Sequence, residues 1–168
     1  MITSGRDLIP VSGSISVTDT PSPEDFATIF RGLDEATAEV VGHANLSPLA
    51  VLLRDDAGMA VGGLWGRTVY SWLMIEMLFV PASLRGRGLG SAVVRAAEHA
   101  ALARGCIGIR VETFDFQAPT FYQRLGFVLV AVQDDLPPGH RCYSLCKRLL
   151  PVARSPDLSS VPLAVMPT

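Results

Sequence analysis

LRGRGLGS, residues 84–91, sets three glycines and two arginines in eight positions, directly ahead of an alanine-rich run. Glycine at alternate positions weakens a strand and a helix alike, so the stretch reads as a turn that something must approach closely. Before it lies WLMIEMLFV, residues 72–80, an apolar run with the look of a strand buried on both faces. After it, from about Gly88 to Arg104, Ser91, Arg95 and Glu98 fall on one helical stripe among Ala, Val and Leu. A strand that ends in glycines and enters a helix presents amides that have no partner inside the helix and point along its positive end. Glycine lets an anion reach them, so the stretch reads as a phosphate cradle. Arg85 and Arg87 add positive charge there, and a charge-assisted hydrogen bond is worth roughly 1.5–3 kcal/mol. Two familiar cradles fail. A P-loop needs GxxxxGK[ST] and the lysine is missing. The dinucleotide fingerprint GxGxxG places its third glycine one residue later than GRGLGS does.

Working outward, TPSPEDF signals a helix start, with Ser22 as cap, Pro23 in the first turn and Glu24 and Asp25 at the positive end. Phe26, Ile29, Phe30 and Leu33 continue the pattern to about Val41. SISVT, residues 14–18, alternates weakly and is expected to be a first strand. Two strands then flank a turn at Asp55–Gly58. Beyond the central helix, Ile107, Ile109 and Val111 alternate with Gly108, Arg110 and Glu112 as a half-buried strand. APTFYQRL predicts a short helix ending at Gly126, and FVLVAV and RCYSLCKRL predict two closing strands around the loop DDLPPGH. The order is that of an α/β chain with a mixed sheet and one parallel crossover.

The glycine stretch resembles the acyl-coenzyme-A signature of the GNAT superfamily of N-acetyltransferases, [RQ]-x-x-G-x-[GA], filled here by Arg85, Gly88 and Gly90. APTFYQRLGF is similar to that family's A-x-x-x-Y-x-x-x-G-F segment, with Ala118, Tyr122, Gly126 and Phe127. The order of elements matches as well, over about residues 14–149, and the run from TFDFQAP to KRL resembles a bacterial branch of the family. The resemblance implies a mostly antiparallel sheet of six to seven strands with flanking helices. Its central parallel crossover would join what the family counts as its fourth strand, third helix and fifth strand. One such domain would occupy residues 1–149, and the Pro- and Ser-rich segment 150–168 would be a tail. One departure stands out: many members carry Asn seven residues before the tyrosine, and here that position is Asp115, with Gln117 available to make the polar contact instead.

The resemblance implies acetyl-coenzyme A as acyl donor, with no metal, and an amine-bearing small molecule or peptide as acceptor. The physical needs of that reaction are definite. An alkylamine with a pKa of about 10.4 must lose a proton, the tetrahedral oxyanion needs fixed donors, and the departing thiolate, of pKa about 8.5, benefits from an acid. Glu76 is the one charge in its strand and the candidate base, directly or through a water. The strand alternation puts it on a face with Trp72, Met74, Leu78 and Val80; its other use is an ion pair with Arg67 or Arg110. The family carries a bulge in this strand, so the Leu78 amide is the candidate oxyanion donor, and Leu78, Phe79 and Val80 are the candidate backbone contacts for the pantetheine arm. Tyr122 matches the family's general acid. The diphosphate contacts expected are Arg85, Gly86, Arg87, Gly88, Leu89, Gly90 and Ser91, with Gln117 and Tyr122 completing the cofactor set. His43 and His140 read as loop residues, and Trp65, Tyr70 and Trp72 as core rather than an acceptor wall.

A net charge of -2 argues against a nucleic-acid binder. Cys106, Cys142 and Cys146 show no paired spacing and read as reduced thiols in a cytoplasmic protein. No apolar run is long enough for a membrane span, and His43, His99 and His140 offer no metal-site spacing. Val161, Leu163, Val165 and Met166 in the tail suggest a homodimer. Two alternatives remain at this level: transfer of a different acyl group, or a non-catalytic acyl-coenzyme-A sensor or complex subunit.

Overall fold

The computed structural model describes residues 13–149. The expected tail at 150–168, and the dimer contact inferred from it, lie outside the described residues. Helix α1 (Pro23–Val41) is followed by strands β1 (Ser47–Arg54), β2 (Ala60–Val69) and β3 (Trp72–Phe79). Next come α2 (Leu89–Ala103), β4 (Gly108–Phe114), α3 (Pro119–Arg124), β5 (Val128–Asp134) and β6 (Arg141–Arg148). The strands form a single sheet in the order β1-β2-β3-β4-β6-β5. Every neighbouring pair is antiparallel except β3 and β4, which are joined through α2.

Helix α1 starts where capping chemistry says it should. Ser22 and Asp25 form a reciprocal capping box at α1, each side chain bonding the other residue's backbone N–H, with Pro23 in the first turn. Asp55 closes the β1–β2 turn by accepting the amides of Ala57 and Met59 on Oδ1. The core lies between α2 and one face of the sheet. Val93, Val94, Ala97 and Ala101 pack on Leu64, Leu73, Ile75, Ile109, Val111 and Leu145. At the edge of this core, Lys147 Nζ meets Glu98 Oε1 at 2.7 Å. Cys106 and Cys142 are buried, burial pushes their thiols up, and neither is bonded to another cysteine.

Two expectations are corrected, that SISVT is a strand and that β3 is buried along its length, and α1, formed as expected, packs in an unexpected way. SISVT forms no strand: Ile15 and Val17 are almost fully exposed and pair with nothing, so the short alternation has no apolar surface to be buried against. The six paired strands are those named above. Helix α1 buries none of its residues, leaving Phe26, Ile29 and Leu33 exposed. It is tied down at its C-terminal half instead, where Asp34 accepts the Ala44 amide and meets the His43 ring, and Thr37 reaches the Tyr70 hydroxyl. Finally, β3 is buried only in its first half: Leu73 and Ile75 are covered, whereas Glu76, Met77 and Phe79 are exposed.

That last difference has a single cause. Opposite β2, Gly66 pairs with Ile75 but Trp65 pairs with Met77, so Glu76 is an extra residue in a β-bulge. The bulge shifts the strand's alternation by one. Leu78, opposite the buried Leu64, therefore falls on the same face as Leu73 and Ile75, and Glu76 does not share its face. Gly66 makes the bulge possible, because a Cβ there would overlap the Met74 carbonyl oxygen and crowd the Ile75 backbone. Gly66→Ala is expected to destabilise the fold by about 1–3 kcal/mol, the usual range for overpacking against atoms that cannot yield. Gly32→Ala, in α1 with open space around the new methyl, is expected to leave stability unchanged or raise it. Thermal melts of the two variants check this, and equal losses would show general glycine sensitivity rather than a constraint at the bulge.

Candidate active site

β3 and β4 pair over Trp72–Ile75 and Gly108–Val111 and then part. Beyond Ile75 and Val111 the β4 backbone continues to pair with β6, but β3 has no partner on its β4 side. The parting opens a cleft of about 970 Å³, lined by the second half of β3, the turn into α2, the end of β4 and helix α3. Its size is within the range that holds a small molecule or cofactor.

The turn into α2 is the cleft's anion-seeking wall. Gly86 and Gly88 take positive φ, +74° and +77°, which a side chain would resist, and the space around both is open. Gly88 is the N-cap of α2, and no side chain caps the helix. The first amides of a 15-residue helix are therefore left for water or a ligand. At Gly90 a Cβ would meet the Phe121 ring at 3.4 Å, an ordinary van der Waals contact. The Arg85 guanidinium folds back and donates from Nε to the Val80 carbonyl oxygen at 3.0 Å, spanning the turn.

Of the residues singled out from sequence, Glu76, Leu78, Phe79, Val80, Arg85, Gly86, Gly88, Leu89, Gly90, Ser91, Gln117 and Tyr122 all line this one cleft. Arg87 is exposed on the turn and is not among the lining residues. Glu76 Oε1 is 2.8 Å from Arg67 Nε, so the ion pair considered from sequence is formed with Arg67 and not with Arg110. Gln117 spends its side-chain carbonyl on the Thr113 hydroxyl and the Phe114 amide, which shapes the passage from β4 to α3 and leaves its amide nitrogen unbonded among the described residues. Asp115 turns away: it accepts the Arg141 amide and meets His140 Nδ1 at 3.0 Å, and it does not line the cleft. His140 thus has a structural contact, and its ring also stands edge-on to Phe116.

Tyr122 is 5% exposed, packed edge-on between Phe121 and Phe127, and still faces the cleft. Its hydroxyl makes no hydrogen bond among the described residues, and burial pushes its pKa up to about 12. His43 lies elsewhere, beside Asp34 near the β2–β3 turn. Trp65, Tyr70 and Trp72 form no common wall: Trp65 is half exposed beside Met77, Tyr70 is in the hairpin turn, and Trp72 packs on Gly108 beneath the Arg148 guanidinium. Sequence reasoning overlooked Glu112, Phe116 and Phe121, which also line the cleft. Alternation placed Glu112 on the exposed face of its strand, but only the parting of β3 from β4 turns that position into a cleft wall. Among the described residues there is no cluster of His, Cys, Asp and Glu suited to a metal, and no helix is long and apolar enough to cross a membrane.

Comparison with known proteins identifies the family. The family model for the Acetyltransferase (GNAT) family matches residues 17–127. Blasticidin-S acetyltransferase of Streptomyces morookaense is 47% identical over 95 residues, which are 56% of this chain and 70% of that protein. An acetyltransferase of Agrobacterium fabrum is 34% identical over 107 residues, 64% of this chain and 78% of that one. Among solved structures, an acetyltransferase from Bacillus cereus superposes with a TM-score of 0.67 at 25% identity, covering 79% of this chain and 97% of its own.

The raised Tyr122 pKa has a testable sign. The folded state favours the neutral phenol, so its contribution to stability is complete below the ordinary tyrosine pKa of about 10 and is lost as pH climbs towards about 12. In an ultraviolet titration, the difference between the native protein and Tyr122→Phe is expected to show no tyrosinate at pH about 10 and to develop it only towards pH about 12. Ionisation of this residue at the ordinary value would mean that its hydroxyl is well solvated.

Proposed function

The chain belongs to the acetyltransferase (GNAT) family and is an acetyltransferase, and on that premise we propose that it carries an acetyl group from acetyl-coenzyme A to a primary amine by direct attack in a ternary complex. The acceptor in this reading is a small amine-bearing compound, and blasticidin S is the first to try, given the 47% identity to an enzyme named for it. The observation that carries the proposal is the coincidence, in one cleft, of an uncapped helix start, an unpaired strand backbone and a buried tyrosine hydroxyl.

Each part has a chemical role. The free amides from Gly86 to Ser91 hold the diphosphate of the coenzyme, with Arg85 and Arg87 adding charge from the turn. The exposed β3 backbone from Leu78 to Val80 supplies the hydrogen bonds that a missing strand would have made, so the pantetheine arm lies in the gap as a substitute strand. The Leu78 amide stabilises the oxyanion as the amine adds to the thioester carbonyl. Glu76, held by Arg67, takes the amine's proton directly or through one water. Tyr122, a phenol that is protonated at physiological pH, returns a proton to the departing thiolate. The Gln117 amide nitrogen contributes a polar contact to the arm, in the place where many members use Asn.

The test is thiol release from acetyl-coenzyme A against a panel of amines that includes blasticidin S. Release with an amine and an acetylated product support the reading; tight coenzyme binding with no acceptor at all would favour an acyl-coenzyme-A sensor. In the same assay Tyr122→Phe is expected to lower kcat by about 10²–10⁴-fold, the range of general-acid contributions, while coenzyme A affinity measured by calorimetry changes little. Unaltered turnover in that variant would remove Tyr122 from the acid role. Gly88→Val, which forces a branched residue to positive φ at the cap, is expected to abolish coenzyme binding, and intact binding would contradict the cradle.

A further inference from the structure

Glu76 and Glu112 occupy matching places on two diverging strands. The last β3–β4 pair is Ile75 with Val111, so the next residue on each strand is a glutamate. Ile75 and Val111 are buried beneath α2, and the residues that follow them face away from it, one on each lip of the cleft. Each carboxylate is anchored by one oxygen. Glu76 Oε1 meets Arg67; Glu112 Oε1 accepts from Arg110 at 2.9 Å and from the Ser144 hydroxyl at 3.3 Å. Each Oε2 makes no hydrogen bond among the described residues. Adjacent strands stand about 4.8 Å apart where they pair and farther apart beyond the split. The cleft is therefore lined by two carboxylates, each anchored through one oxygen and with its other oxygen unbonded among the described residues.

A monoamine needs one such carboxylate. The Arg110–Glu112 pair is an exposed contact, 50% and 54% accessible on its two side chains, and contacts of that kind hold weakly. It orients Glu112 without closing it to another cation. From the acetyltransferase reading above, on which this step rests, we infer that Glu112 is a specificity-determining residue for the acceptor. Glu76 faces the amine that is acetylated and Glu112 binds a second cationic group of the same molecule, so the enzyme prefers diamines and amines bearing a guanidinium to simple monoamines.

The experiment compares 1,4-diaminobutane with butylamine as acceptors by thiol release, for the native enzyme, Glu112→Gln and Asp134→Asn. Asp134, at the end of β5, forms an exposed pair with Arg141 of β6, lines no part of the cleft and controls for loss of one negative charge. The native enzyme is expected to favour the diamine at least tenfold in kcat/KM. Glu112→Gln is expected to bring that ratio near one through a higher KM for the diamine rather than a lower kcat, and Asp134→Asn to keep the native ratio. A native enzyme without preference, or a ratio unmoved in Glu112→Gln, overturns the assignment while leaving the acetyltransferase reading intact. A Glu112→Gln effect confined to kcat also overturns it, since that would place the residue in the chemistry rather than in acceptor binding. No thiol release with either amine, or with any of the wider panel, overturns both.

Discussion

The molecule depends on one interruption: β3 cannot follow β4 past the Ile75–Val111 pair. A backbone N–H or C=O removed from a sheet must find another partner, so parting two central strands is unfavourable unless something fills the gap. The bulge at Glu76 makes the parting permanent. It uses one residue more than β2 can match and re-aims everything after it, and Gly66 is the residue on β2 small enough to lie against the bend. The gap is not a flaw in packing at the surface. It lies directly alongside the core formed by Leu73, Ile75, Ile109 and Val111, which are fully or nearly fully buried.

The walls of the gap are rigid for reasons that can be read residue by residue. On one side α2 packs its Val and Ala face against the sheet, so its free first turn is fixed in place by the buried residues behind it. Gly86 and Gly88 bring the chain into that helix with two left-handed steps, and Phe121 of α3 lies beside Gly90. On the other side, the Gln117 carbonyl ties together the end of β4, and the stacked rings of Phe114 and Phe116 continue that wall towards His140. Tyr122 sits where these walls meet, packed in the core and also lining the cleft.

Much of this was legible in the sequence because it is local. The glycine stretch, the Ser22 cap, the turn at Asp55 and the alternation of Ile109 and Val111 with Arg110 and Glu112 each depend on neighbours a few residues away. What was not legible depends on pairing. Simple alternation along β3 put Glu76 on a face with Leu78, and a single inserted residue, visible only against the β2 register, separates them. Asp115 looked like an awkward substitute at a cofactor contact; its actual partners, His140 and the Arg141 amide, lie some 25 residues away and could not be assigned before β6 was in place. SISVT had a strand's pattern and no surface to pair with. The ion pair of Glu76 was foreseen as one of two choices, and the β2–β3 register decides for Arg67, which lies opposite Met74.

The cleft has a polarity of its own, and that polarity bears on how two substrates can share it. Around the start of α2 the available groups are amide donors and Arg85, all of which seek an anion. Where the strands part, the available groups are the carboxylates of Glu76 and Glu112. In the proposed reaction the donor carries its negative charge in a diphosphate and the acceptor is a cation before it is deprotonated. Each substrate therefore finds complementary groups in a different part of the cleft, an ordering that requires no movement of the protein. The thioester, which is neutral, is the one part of the donor that can extend among the carboxylates without penalty. In the proposed reaction it lies in the gap as a strand would, with the Leu78 amide along its edge, while the bulge turns the Glu76 side chain to the face opposite that of Leu78.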